Sequence, residues 1–155
     1  MNATKMLEVL DEFVQESNKE KCITFDGSWG IGKTYSINHW CDNFKQENTK
    51  VIYISLFGVH NSNELITKLI NKLSKIKGLM KKICKTMSGV SLGIQGFSFS
   101  IPSLFELNKL PKIKNGKYVF VFDDLERKGN DFDFRSLFSI IEQLNNNDNV
   151  KVVTI

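Results

Sequence analysis

Long apolar runs and cysteines are both scarce in this sequence. No apolar stretch approaches the roughly 20 residues that a membrane-spanning helix needs. The N-terminus lacks the layout of a signal peptide, because Glu8 follows soon after the first apolar residues. The three cysteines, an odd number without the spacing of metal ligands, are Cys22, Cys41 and Cys84. We therefore expect buried or half-buried thiols and a cytoplasmic location.

Histidine is also rare. His39 and His60 have neither a nucleophile nor a metal-ligand partner near them in sequence. Internal repeats and low-complexity tracts are absent as well. The 155 residues are 41% hydrophobic and 25% charged, which fits one α/β domain. The net charge of +4 is too small to indicate a class of partner by itself.

One stretch has a pattern that is typical of phosphate binding. Residues 27–34 read Gly-Ser-Trp-Gly-Ile-Gly-Lys-Thr and match Gly-x-x-x-x-Gly-Lys-Thr. An apolar run at 22–25 precedes this stretch, and apolar residues at helical spacing follow it between Ile37 and Phe44. A strand, a glycine-rich loop and a helix in this order predict a P-loop.

Each residue type in this loop has a chemical reason. Glycines allow backbone conformations in which N–H groups turn toward an anion, and the following helix adds positive potential at its N-terminus. We expect Lys33 to reach the β- and γ-phosphates and the Thr34 hydroxyl to hold Mg²⁺. The predicted nucleotide-binding residues are Gly27, Ser28, Trp29, Gly30, Ile31, Gly32, Lys33 and Thr34.

The rest of the chain alternates between helical and strand patterns. Apolar residues recur at helical spacing or form short β-branched and aromatic runs typical of strands buried on both faces. Asn61 or Ser62 is the predicted cap of the second of these helices. The patterns predict helices at about 4–17, 61–73 and 134–144 and strands at 51–57, 118–122 and 150–155.

Acidic residues follow the strand at 118–122 directly, in the sequence Asp-Asp-Leu-Glu-Arg at 123–127. Because ligands bind at the carboxyl ends of parallel strands, we expect Asp123 to lie near Thr34 and to hold Mg²⁺. Asp124 would orient or deprotonate an attacking water, and Glu126 takes that role if the register differs. The predicted catalytic residues are Lys33, Asp124 and Glu126, and the predicted metal ligands are Thr34 and Asp123.

Two further polar residues have roles that the sequence leaves open. Arg127 is a charge partner of Glu126 or Asp124, the interpretation we favour, or contacts the nucleotide of a neighbouring subunit. Thr154 is the only polar candidate for a sensor at the end of the fourth strand. The Asn-Lys-x-Asp motif that would indicate GTP does not occur.

A basic region begins within the helix predicted at 61–73 and continues beyond it. No acidic residue interrupts its lysines, which are Lys68, Lys72, Lys75, Lys77, Lys81, Lys82 and Lys85. A solvated helix face explains them most simply, and contact with nucleic acid or an acidic membrane surface is the alternative. Residues 89–101 alternate around a glycine and predict a β-hairpin. We place a basic helix end and a hairpin insertion at 76–116, within a single domain that spans 1–155.

The motifs at 27–34 and 123–127 resemble those of the KAP family of P-loop NTPases, including the tryptophan of Gly-x-Trp-Gly-x-Gly-Lys-Thr. The resemblance implies a three-layer ATPase core of the additional-strand class, with a mostly parallel sheet and with ATP and Mg²⁺ as cofactors. Some bacterial members are implicated in phage exclusion. Such folds need a fifth strand and then usually a helical region, so we expect an N-terminal fragment whose last strand or strands are missing.

These patterns favour an ATP-binding regulatory switch that hydrolyses ATP with Mg²⁺ and acts through an oligomer or downstream domains. The alternative is a nucleotide-dependent scaffold or nucleic-acid-binding module with little turnover, which would use the Lys68–Lys85 region. A phosphotransferase is less favoured, because no lid or acceptor motif is recognisable.

Overall fold

The computed structural model describes residues 3–15, 20–76 and 116–155. Within these ranges the strands are β1 (Cys22–Thr24), β2 (Thr49–Ser55), β3 (Lys117–Asp123) and β4 (Val150–Thr154). They form one sheet in the order β1-β4-β3-β2, and every pair of neighbours is parallel. The prediction of a parallel α/β sheet is confirmed.

In the same described ranges the helices are α1 (Ala3–Gln15), α2 (Lys33–Asn43), α3 (Ser62–Ser74) and α4 (Phe134–Asn145), and Leu125–Arg127 forms a 3₁₀ turn. Each element predicted within the described residues is present, with small shifts at its ends. Asn61 caps α3, since its side chain accepts a hydrogen bond from the backbone N–H of Glu64 at 3.0 Å.

The sheet lies between two helical layers, because successive side chains on each strand point to opposite faces. Val119 and Val121 of β3 pack with α1 and α2, whereas Phe120 and Phe122 pack with α3 and α4. The indole of Trp40 on α2 donates to Asp11 on α1 at 2.7 Å. The predicted three-layer architecture is therefore present.

The topology brings two distant segments together. β4 separates β1 from β3, and all of these strands run in the same direction. The loop after β1 and the turn after β3 consequently lie at the same edge of the sheet, where parallel strands present their carboxyl ends.

Three of the sequence predictions concern residues that the structure does not describe. The hairpin at 89–101, the distal lysines and Cys84 lie outside the described residues.

Cys41 is half-buried as expected, but Cys22 is exposed, because β1 lies at the end of the described sheet. In the part of the chain that the structure describes, no helix combines the length and the hydropathy that crossing a membrane requires.

Candidate functional site

The glycine loop at 27–34 has the backbone geometry that its sequence predicts. Gly30 and Gly32 have φ angles of 80° and 88°, which side chains with a Cβ rarely adopt. Gly32 precedes the first residue of α2, and no described side chain caps that helix. The first N–H groups of α2 are therefore available to an anion.

Lys33 folds back over the loop that precedes it. Its ammonium donates hydrogen bonds to the carbonyl oxygen of Gly27 and, at 3.2 Å, to that of Ser28. These neutral carbonyls are weaker partners for an ammonium group than phosphate oxygens. The geometry thus holds a positive charge at the mouth of the loop.

The loop and the acidic turn line one cavity of about 350 Å³, a size typical of small-molecule sites. Its described lining residues are Ser28, Trp29, Gly30, Ile31, Gly32, Lys33, Thr34, Tyr35, Asp123, Asp124, Glu126, Arg127 and Ile155. Of the predicted nucleotide-binding, catalytic and metal-binding residues, Gly27 alone is missing from this lining, and its carbonyl oxygen accepts a hydrogen bond from Lys33. Two segments about 90 positions apart in sequence therefore line the same cavity.

Asp123 lies at the centre of this site and is only 2% exposed. Its Oδ1 accepts hydrogen bonds from the Thr34 hydroxyl at 3.3 Å and from the Asp124 backbone N–H at 2.7 Å. Its Oδ2 accepts a hydrogen bond from the phenol of Tyr53 at 2.8 Å. These donors stabilise the charged carboxylate in a buried position.

Asp124 is also buried and has a left-handed backbone, with φ at 59° and ψ at 38°. Aspartate tolerates this region better than most residues. Its Oδ2 accepts a hydrogen bond from the Ser55 hydroxyl at 2.6 Å, and its Oδ1 is 3.3 Å from Nη1 of Arg127. Both carboxylate oxygens therefore have a positively polarised partner.

Glu126, Arg127 and Thr154 differ in their positions. Glu126 is exposed at the cavity edge. Arg127 forms the ion pair with Asp124 that the sequence analysis favours. The Thr154 hydroxyl lies 2.7 Å from that of Thr24 on β1, and Thr154 is not among the described residues that line the cavity.

Sequence analysis missed the contribution of β2. Tyr53 and Ser55 are two residues apart and so point to the same face of the sheet. The register pairs Ser55 with Asp123, which brings both hydroxyls to the acidic turn. Burial and the hydrogen bond to Asp123 raise the pKa of the Tyr53 phenol above its ordinary value of 10.0. Polar residues at alternate positions of an apolar strand were the available signal.

The residues present fit a magnesium ion. Within the described residues no cluster of three His, Cys, Asp or Glu side chains could hold a metal by itself. Magnesium in nucleotide sites needs only one or two protein oxygens, because phosphates and waters complete its octahedron. Adjacent ligands of that octahedron are about 3 Å apart, close to the 3.3 Å between the oxygens of Thr34 and Asp123.

Fold and site together define a class of protein. A glycine loop between a parallel strand and a helix, with an acidic turn at the same sheet edge, is the arrangement of a P-loop NTPase domain. The β4 strand between β1 and β3 agrees with the additional-strand class that the sequence resemblance implies.

Comparison with known families is consistent with this class. The family described as the KAP family P-loop domain matches residues 3–96, which is more than half of the 155 residues. The chain belongs to the KAP family of P-loop NTPases. The matched stretch contains the glycine loop and ends before the acidic turn at 123–127. No curated protein matches the chain closely enough to be counted.

Proposed function

We propose that this domain binds ATP with Mg²⁺ and hydrolyses it, and that it works as a regulatory switch. The observation that carries the proposal is the contact between Thr34 and Asp123 inside a cavity that the glycine loop also lines. This contact supports the proposal because it brings together the predicted phosphate-binding loop and the predicted metal ligand, which are about 90 positions apart in sequence.

Binding follows from the charges at the loop. The ammonium of Lys33 would leave the carbonyls of Gly27 and Ser28 for the β- and γ-phosphates, because a charge-assisted hydrogen bond is the stronger one. Thr34 and Asp123 would hold the metal, while Tyr53 keeps Asp123 oriented. When bound, Mg²⁺ supplies neutralisation of phosphate charge.

Hydrolysis needs a base beside the γ-phosphate. In this proposal Asp124 orients the attacking water and accepts its proton as the bond between the γ-phosphorus and the bridging oxygen breaks. The Ser55 hydroxyl accepts a hydrogen bond from the Phe57 N–H at 3.1 Å, so its own hydrogen is directed to Asp124. Ser55 would thereby keep Asp124 in one orientation. Glu126 is the alternative base.

Calorimetric titration with ATP and Mg²⁺ tests the binding part of this proposal. Lys33→Ala should abolish measurable binding, and the exposed Lys50→Ala is the matched control that should bind like the wild type. Phosphate release by the same proteins tests hydrolysis. Unchanged ATP binding by Lys33→Ala would overturn the proposal. A role in phage defence is an extension that rests on the family resemblance alone.

A second candidate function is supported by a groove of about 320 Å³ between β2 and α3. Its described lining residues are Tyr53, Ile54, Ser55, Lys68, Asn71, Lys72 and Lys75, none of them acidic. Lys68 donates to the carbonyls of Ser55 and Phe57 at 3.1 and 3.3 Å, whereas Lys72 and Lys75 are exposed. This charge suits a nucleic-acid backbone, as a nucleotide-dependent binding module would require.

Fluorescence anisotropy with a labelled DNA duplex at increasing salt tests this alternative. Binding that weakens steeply with salt and is lost in a Lys72→Glu, Lys75→Glu variant would support it. Lys45→Glu, another exposed lysine, is the control. Absence of binding at low salt would remove the alternative. Anionic lipid vesicles in place of the duplex test the membrane surface.

A further inference from the structure

Arg127 lines the cavity but holds neither the glycine loop nor Asp123. Its guanidinium carbon is 4.3 Å from the centre of the Phe57 ring, and its Nη1 is 3.3 Å from Oδ1 of Asp124. The arginine side chain is 48% exposed and Phe57 is 57% exposed. A half-exposed ion pair of this length contributes little to stability, so fold stability is a poor explanation for this position.

The backbone of Arg127 is fixed although its side chain is accessible. Its N–H donates to the carbonyl of Asp124 at 2.9 Å, and its carbonyl accepts from the Gly58 N–H at 3.1 Å. The first bond closes the 3₁₀ turn, and the second ties the turn to the segment that follows β2. The guanidinium can consequently change partner by side-chain rotation, without a change in the fold.

The charges of the cavity indicate which partner that would be. Among the described lining residues the cations are Lys33 and Arg127, and the carboxylates are Asp123, Asp124 and Glu126. A nucleoside triphosphate would add several negative charges to this surplus. The planar guanidinium can bind a phosphate through two parallel hydrogen bonds, whereas in this structure it approaches Asp124 through Nη1.

Moving the guanidinium would also change Asp124. The Oδ2 of this carboxylate is held by Ser55, and its Oδ1 faces Arg127. Loss of Arg127 would leave Oδ1 free to accept a hydrogen bond from water, while Ser55 still fixes the orientation of the group. Asp124 could therefore accept a proton from water only after the Arg127 guanidinium has moved to another anion.

We propose that Arg127 is the γ-phosphate-sensing residue of this site, which exchanges Asp124 for the γ-phosphate and so releases the base. This inference rests on the proposed function, because it needs a bound triphosphate. In this proposal Arg127 binds the nucleotide held by its own chain, and only its side chain moves to do so.

Calorimetric affinities for ADP and for the non-hydrolysable analogue AMP-PNP, both with Mg²⁺, test the inference. The measured quantity is the ratio of the two dissociation constants, because a contact to the γ-phosphate affects only the analogue. Arg127→Ala should reduce the preference for AMP-PNP about tenfold, as expected for the loss of one charge-assisted contact. Arg127→Gln should do the same, which guards against a folding defect in one variant.

The other arginine of the chain, Arg135, is exposed near the start of α4. Arg135→Ala is the matched control and should keep the wild-type ratio. An unchanged ratio in both Arg127 variants, with ADP and AMP-PNP still bound, would overturn the inference and leave the proposed function intact. If the wild type binds neither nucleotide, the proposed function fails and the inference fails with it.

Discussion

The phenol of Tyr53 donates a hydrogen bond to Oδ2 of Asp123 at 2.8 Å, across 70 positions of sequence. Thr34 approaches the other oxygen of the same carboxylate. Asp123 is therefore held from β2 and from the glycine loop at once. Hydrogen bonds of this kind fix the orientation of the carboxylate oxygens, and so they affect how tightly the carboxylate binds a metal ion.

Tyr53→Phe should weaken the binding of Mg²⁺ about tenfold, because outer partners of metal ligands contribute on that order. The Mg²⁺ concentration that gives half-maximal ATP hydrolysis measures this effect. ATP affinity in EDTA is the control and should change little. The same Mg²⁺ dependence in both proteins would show that Tyr53 does not act through Asp123.

The Tyr53 phenol should also ionise at a higher pH than an exposed tyrosine. Burial is the larger cause and the hydrogen bond to Asp123 the second cause that raises the pKa of Tyr53 above the ordinary 10.0. Burial also raises the pKa of Tyr118. Because the folded state retains the proton longer than the unfolded state, this stabilisation is present below about pH 10 and is lost as pH rises through the folded pKa.

Absorbance at 295 nm checks this expectation during an alkaline titration. Tyr53→Phe should remove part of the tyrosinate absorbance that appears well above pH 10. The free energy of unfolding of this variant should also depend less on pH above about pH 10. Identical late absorbance in both proteins would contradict the expectation.

Ser55→Ala should lower the rate constant of ATP hydrolysis about tenfold while ATP affinity stays close to that of the wild type. The reason is that Asp124 loses the donor that orients it, although the glycine loop is untouched. Ser55→Thr keeps the hydroxyl and should recover most of the rate. A rate loss that the threonine variant shares equally would point to packing and not to the hydroxyl.

Asp124→Asn should bind ATP and slow its hydrolysis about a hundredfold, as expected when a general base is lost. Asparagine tolerates the left-handed backbone at this position, so the turn is preserved. Glu126→Gln is the matched variant on the same turn and should hydrolyse ATP at nearly the wild-type rate. The reverse pattern would move the base to Glu126.

Trp40→Phe should reduce the free energy of unfolding by about 2 kcal/mol, because it removes buried surface and the hydrogen bond to Asp11. Trp40 is 6% exposed, whereas Trp29 in the glycine loop is 75% exposed. Trp29→Phe is therefore the control and should change stability by less than about 0.5 kcal/mol. Urea unfolding measures both variants.

The sequence by itself determined the local elements and the binding loop. Glycines at 30 and 32, followed by Lys33 and Thr34, predict a loop with unusual φ angles because few other residues adopt them. Apolar residues at helical spacing located the helices, since burial of one helix face imposes that spacing. Short β-branched and aromatic runs located the strands, because strands of a parallel sheet are buried on both faces. The ion pair between Arg127 and an acidic residue of its own turn was also within reach, because the partners are three positions apart.

Only the tertiary structure decided which distant side chains meet. The placement of β2 beside β3 brings Tyr53 and Ser55 to the two carboxylates, and hydrophobic patterning alone does not specify the neighbours of a strand. The pairing of β1 with β4 likewise places the Thr154 hydroxyl beside that of Thr24, away from the cavity lining. Strand order and register, which depend on the packing of the whole sheet, therefore determined the environment of the acidic turn after β3.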